Sequence, residues 1–142
     1  MVRRLTRQKI FEGYFKRITG KDVLKDIYTK PLVKSGHPES KVLTDCLSWL
    51  RRHQVAAFRN NTGFGDLRGT GQSYHYGIKS AGDIICCLEG LYCEVECKHG
   101  NGGVWKLNQQ HHANKVRKSG GLYFLVHGVD EMADLVRPYL VK

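Results

Sequence analysis

The stretch from Gly82 to Gly100, GDIICCLEGLYCEVECKHG, constrains the fold more than any other part of this chain. Two apolar runs flank Glu89-Gly90, and a two-residue loop ending in glycine signals a β-hairpin closed by a primed turn. With that loop, Leu88 pairs with Leu91, Cys86 with Cys93, Ile84 with Val95 and Asp83 with Glu96. Period-2 alternation then gathers Ile84, Cys86, Leu88, Leu91, Cys93 and Val95 on one face, an apolar surface that has to pack against a helix and so fixes the register. The predicted strands run over 83–88 and 91–98.

The other face of the hairpin carries the chemistry. Asp83 and Glu96 stand directly opposite, with β-carbons about 4.5–5.5 Å apart, and Lys98 follows two residues on. Like charges in that position destabilise a hairpin, so a cation belongs between them. Lys98 alone would make a structural salt-bridge cluster on an exposed sheet face. The alternative is a divalent metal held by two carboxylates with the lysine beside it. Hard oxygen ligands, and only two of them, suit Mg²⁺, or Mn²⁺ as a substitute, which keep waters and accept phosphate oxygens. That is the chemistry of phosphodiester hydrolysis, with Lys98 stabilising the transition state or orienting the attacking water.

The remaining elements are predicted around this hairpin. Val42, Leu43, Cys46, Leu47 and Leu50 recur at helical spacing from Glu39 to His53, after His37-Pro38. Residues 55–58 read as a short strand, and 59–82 as a long loop rich in glycine. That loop interleaves Tyr74, His75 and Tyr76 with Arg68 and Lys79. Such a composition suits stacking on bases and wrapping a backbone, and equally a plain flexible loop. A helix is expected over 106–119, with Asn108 as N-cap and Gly120 as its stop. Leu122 to Val126 is a continuous apolar run, expected as a strand buried on both faces and reached by a helical crossover. Asp130 caps a last helix. The order predicts a mixed α/β sheet flanked by helices.

Charge is distributed unevenly. Residues 1–38 hold ten Lys/Arg and three Asp/Glu, a net +7 of the chain's +10. The division expected is a basic N-terminal extension, 1–38, and one domain, 39–142. The extension reads either as a phosphate-contacting arm, with Arg3, Arg4 and Arg7 at its start, or as a solvated leader. The five cysteines are odd in number, form no CxxC pair and lie mostly in apolar runs, which fits reduced thiols in an intracellular, cytoplasmic protein. No apolar run reaches the roughly 18 residues of a membrane span, and no signal sequence or small-molecule cofactor motif is visible.

Together these residues resemble a known family. Gly82-Asp83, then Glu96-Cys97-Lys98, then a helix carrying Gln109 and ending at Gly120-Gly121 before a buried strand, is similar to the PD-(D/E)xK nuclease superfamily, whose restriction-endonuclease-like core has the order αβββαβ. Glu39 opening the first helix, Phe58-Arg59-Asn60-Asn61-Thr62-Gly63 and Tyr76-Gly77-Ile78 resemble the virus-type replication-repair nuclease (VRR-NUC) domain, over residues 39 to about 127. The resemblance implies Asp83 and Glu96 as metal ligands, the Cys97 backbone carbonyl as a further one, and Lys98 as the catalytic lysine. It implies Glu39 near the metal, through a water or a second ion, and Gln109, or its neighbour Gln110, orienting the lysine or the water. The expected DNA contacts are Arg59, Asn60, Asn61, Arg68, Tyr74, Tyr76 and Lys79, besides the arginines of the leader. Stand-alone, phage-sized members are similar to Holliday junction resolvases, so a homodimer on branched DNA is implied, two sites serving a two-fold junction.

Rival readings are a catalytically silent nucleic-acid-binding module, and a restriction-type or flap endonuclease on the same fold. A zinc site among Cys86, Cys87, Cys93, Cys97, His99, His111 and His112 is disfavoured, because alternation scatters the cysteines over both faces. His111 and His112 read either as surface residues or as phosphate contacts.

Overall fold

A computed structural model of the chain describes residues 27, 29–66 and 69–140. The elements are α1 (Glu39–Arg52), β1 (Ala56–Arg59), β2 (Gly63–Asp66), β3 (Ser73–Tyr76), β4 (Ile84–Leu88), β5 (Leu91–Cys97), α2 (Leu107–Lys118), β6 (Leu122–Val126) and α3 (Val129–Val136), followed by one 3₁₀ turn, Arg137–Tyr139. Four strands form a mixed sheet in the order β1-β4-β5-β6, and β2 pairs with β3 in a separate ribbon.

The β4–β5 hairpin has the register derived from its turn, from Leu88 opposite Leu91 to Ile84 opposite Val95. Glu89 and Gly90 both have positive φ, 50° and 84°, as a type I′ turn requires. β5 and β6 run parallel, with Glu96 beside Leu125, and α2 supplies the crossover between them.

Burial divides the molecule into layers. Val42, Cys46 and Leu50 of α1 and Met132 and Val136 of α3 pack with Ile84, Cys86, Cys93, Val95, Cys97, Phe124 and Val126 on one face of the sheet. On the other face a smaller cluster, Ala113 and Val116 of α2 with Tyr123 of β6, is joined by Trp105 and Ile27. The thin apolar stripe of α2 is supplemented by Arg117, buried and donating to the Tyr123 carbonyl at 2.9 Å. The cysteines behave as small core hydrophobes: all but Cys87 are buried and none forms a disulfide. No helix among the described residues is long and apolar enough to cross a membrane.

Four sequence expectations need correction. Residues 63–66 and 73–76 form an antiparallel ribbon inside the stretch read as one loop. Gly63 and Gly65 sit opposite Tyr76 and Tyr74, so the glycines that suggested a loop are the partners over which the tyrosine rings lie. The cap of α2 is Lys106 rather than Asn108, since the Gln109 side chain accepts the Lys106 N–H at 3.1 Å. Gly128, not Asp130, caps α3. β4 starts at Ile84, leaving Asp83 just outside the strand.

Residues 35–37 of the expected extension touch the sheet domain. Ser35 and His37 exchange backbone hydrogen bonds with Gly100, and Gly36 donates to Asn101 Oδ1 at 2.9 Å.

Candidate active site

Alternation on β5 sends Glu94, Glu96 and Lys98 to the α2 face of the sheet. That face is covered rather than exposed: Glu94 is 0%, Glu96 4% and Lys98 5% accessible. Charged side chains are this deeply buried only when paired or hydrogen-bonded.

Glu96 and Lys98 meet Gln109 from the first turn of α2. Lys98 Nζ lies 3.3 Å from Glu96 Oε1 and donates to Gln109 Oε1 at 3.1 Å, and Gln109 Nε2 donates back to Glu96 Oε1 at 3.0 Å. Gln110 turns elsewhere, to the Trp105 carbonyl. The cyclic contact fixes the ammonium and both oxygens relative to one another.

Asp83 is set beside this triangle by its backbone. Its Oδ2 accepts the Cys97 N–H at 2.8 Å, and its carbonyl accepts the Asn60 N–H at 2.8 Å. Gly82 permits the approach, because a β-carbon there would stand 2.9 Å from the Val95 carbonyl oxygen. Glu39, at the start of α1, reaches the same end of the sheet: a β-carbon on Gly103 would lie 3.4 Å from both Glu39 Oε1 and Lys98 Cδ.

The electrostatics follow from crowding acids in a poorly hydrated place. Burial pushes the Glu96 carboxyl up to about 7, the Asp83 charge adds to this and Lys98 opposes it. Burial likewise raises Asp83 above the usual carboxylate range, while the Cys97 N–H pulls it back; Glu39 raises it further and Lys98 and Arg59 lower it. The carboxylates are thus in electrostatic reach of one another, with one lysine among them.

Glu96 Oε2 is buried and meets no donor among the described residues, although Oε1 of the same carboxylate meets two. Among the described residues no group of three or more His, Cys, Asp or Glu side chains is arranged to hold a metal. A cation at Asp83 and Glu96 would therefore take its other ligands from water, backbone or phosphate, which is the habit of Mg²⁺ rather than of zinc.

Glu94 is the residue the sequence reading missed. It accepts the Gly82 N–H at 2.7 Å, the Tyr92 hydroxyl at 2.6 Å and His112 Nε2 at 2.9 Å. His112 is thus engaged with a buried acid, whereas His111 is exposed. The signal available was the alternation itself, which puts Glu94 on the same face as Glu96.

The expected DNA contacts are dispersed. Tyr74 and Tyr76 are about half exposed on β3, with ring centroids 6.2 Å apart. Arg59, Asn61 and Lys79 are exposed. Asn60 instead braces the backbone, since its side-chain amide donates to the Ile78 carbonyl and accepts the Ile78 N–H, both at 3.0 Å, which shapes the approach to Asp83. Arg3, Arg4, Arg7 and Arg68 lie outside the described residues.

No protein-family model matches this chain, and neither a curated protein nor a solved structure matches it.

Proposed function

We propose that this protein is a Mg²⁺-dependent structure-specific DNA endonuclease with a PD-(D/E)xK core of the VRR-NUC type. The observation that carries the reading is the junction of Glu96, Lys98 and Gln109, with one buried Glu96 oxygen left unpartnered beside Asp83. An unpaired buried acceptor costs about 1–3 kcal/mol, so the free Glu96 oxygen favours a further positive partner at this site.

Asp83 and Glu96 would hold the cation, with the Cys97 carbonyl as a further ligand and Glu39 acting through water or a second ion. When bound, Mg²⁺ would supply Lewis acidity to the scissile phosphate and acidify water within reach of it. Lys98 contributes a fixed positive charge where negative charge grows on the phosphate, or orients the attacking water. Gln109 holds Lys98 in place through its Oε1 and steadies Glu96 through its amide. The Cys97 N–H keeps Asp83 turned toward Glu96.

Branched DNA as substrate and a homodimer as the working form rest on the family resemblance. The discriminating experiment is cleavage of a labelled four-way junction beside a matched duplex and a flap, in Mg²⁺, Mn²⁺ or EDTA, with Glu96→Ala as control. Paired symmetric nicks confined to the junction support a dimeric resolvase. Metal-dependent cutting of flap or duplex keeps the nuclease and removes the junction. Binding without cutting in any metal replaces the nuclease with a silent binding module.

A further inference from the structure

A second concave surface lies away from the carboxylates, between α1 and the edge strand β1. It is a cavity of about 450 Å³ lined by Leu43, Thr44, Leu47, Ser48, Arg51, Arg52 and Arg59. Its floor is apolar, and its polar groups are three guanidiniums and two hydroxyls. Among the described residues no acid lines it: the neighbouring Asp45 is paired with Lys41 at 3.0 Å. Three arginines line it with no counter-charge among the described residues, Arg51 donating through Nε to the Ala57 carbonyl at 3.4 Å, which makes a concave site suited to an anion.

The shape bears on which anion. Thr44 to Arg52 covers about 12 Å of helix at 1.5 Å per residue, the axial length of three to four nucleotides at about 3.4 Å each along one strand. A single phosphate or carboxylate would engage only part of such a line. Arg59 also ties the cavity to the carboxylate cluster. It pairs across the sheet with Ile84, next to Asp83. A chain of phosphates seated against Arg51 and Arg52 would pass Arg59 and arrive at Asp83.

We propose that the α1–β1 groove binds the phosphate backbone of DNA flanking the cleavage point, through Arg51, Arg52 and Arg59 with Ser48 as a hydroxyl donor, the Thr44 hydroxyl being given to the Ser40 carbonyl at 2.8 Å. The identity of the polyanion rests on the proposed nuclease function; the groove as a polyanion site does not.

The test is the salt dependence of duplex binding by the full-length chain, measured in EDTA so that no cleavage is required. Arg51→Gln/Arg52→Gln should lower the slope of log K against log [salt] by about 1.8, at roughly 0.9 per lost phosphate contact. Lys41→Gln, on the same helix but outside the cavity, should leave the slope within error of the parent. A double variant that keeps its circular dichroism spectrum and its full slope overturns the groove. So does an equal decrement per charge from Lys41→Gln, which means diffuse attraction. Polyglutamate that displaces the duplex at equal charge concentration from the parent, but not from the double variant, turns the groove into a site for an acidic protein and overturns its assignment to DNA. The two proposals fail separately: a chain that binds through the groove but never cuts loses only the nuclease, and one that cuts with an unmoved slope loses only the groove.

Discussion

Glu94 Oε1 accepts the backbone N–H of Gly82 at 2.7 Å, so a fully buried carboxylate on β5 holds the residue immediately before Asp83. The same carboxylate meets His112, which follows Gln109 by one turn on α2. Glu94 thereby connects the two walls from which Asp83 and Gln109 approach Glu96. Glu94→Ala would strand the Gly82 N–H, the Tyr92 hydroxyl and His112 together. The expected loss is roughly 3 kcal/mol in urea unfolding, and His112→Ala should cost less than half of that. Equal losses for the two variants would mean that Gly82 and Tyr92 gain little from Glu94.

Lys98 is expected to matter more for rate than for folding. Lys98→Ala should slow single-turnover cleavage about 10²–10³-fold, and Gln109→Ala, which frees both Lys98 and Glu96 but removes neither, about tenfold. Retained cleavage in Lys98→Ala would remove the lysine from the mechanism.

Removing one of the facing acids should stabilise the metal-free protein. Asp83→Asn keeps an oxygen for the Cys97 N–H and deletes the charge that raises Glu96. The expected gain is about 1 kcal/mol at pH 8 in EDTA, with cleavage lost. A variant less stable than the parent under those conditions would show that the two carboxylates do not oppose each other.

The sign of the pH dependence follows from Glu96. Its folded pKa, about 7, lies above its ordinary 4.5, so the folded state binds the additional proton. Its destabilisation is absent below pH 4.5, grows as pH rises, and is complete above pH 7, where it amounts to about 3 kcal/mol. In EDTA the parent should lose stability relative to Glu96→Gln between about pH 5 and pH 8. Mg²⁺ should raise the melting temperature more at pH 8 than at pH 5, since it replaces the proton on the same carboxylate. Parallel curves for the two proteins in EDTA would disprove the raised pKa.

Two glycines should respond differently to alanine. At Gly90, φ is +84° and nothing lies within 4 Å of a β-carbon, so the cost is conformational, about 1 kcal/mol. At Gly82 a β-carbon meets the Val95 carbonyl, and backbone cannot move aside as a side chain does. Gly82→Ala should cost more than Gly90→Ala and reduce cleavage, while Gly90→Ala leaves cleavage intact.

Local pattern decided a large part of this molecule. The Glu89-Gly90 turn and the alternation on either side of it are short-range properties, and they set the β4–β5 register from Ile84 opposite Val95 to Leu88 opposite Leu91. The helical spacing of α1 and the apolar run of β6 were equally plain, because one face or both faces of those elements are buried. The β2–β3 ribbon was hidden because its strands are four residues long and its glycines act as partners for tyrosine rings, a pairing visible only across the strands.

Only tertiary structure decided what covers the charged face. The sequence put acids and a lysine on one side of a hairpin but left that side open to solvent in one reading. Packing of α2 buries it, which turns an ordinary Glu96 into one titrating near pH 7 and brings Gln109 rather than Gln110 to the lysine. Docking of Gly82 onto Glu94 and the convergence of Arg51, Arg52 and Arg59 also join residues of different elements. Alternation determines which way a side chain points, whereas its desolvation and its partners depend on elements that arrive from elsewhere in the sequence.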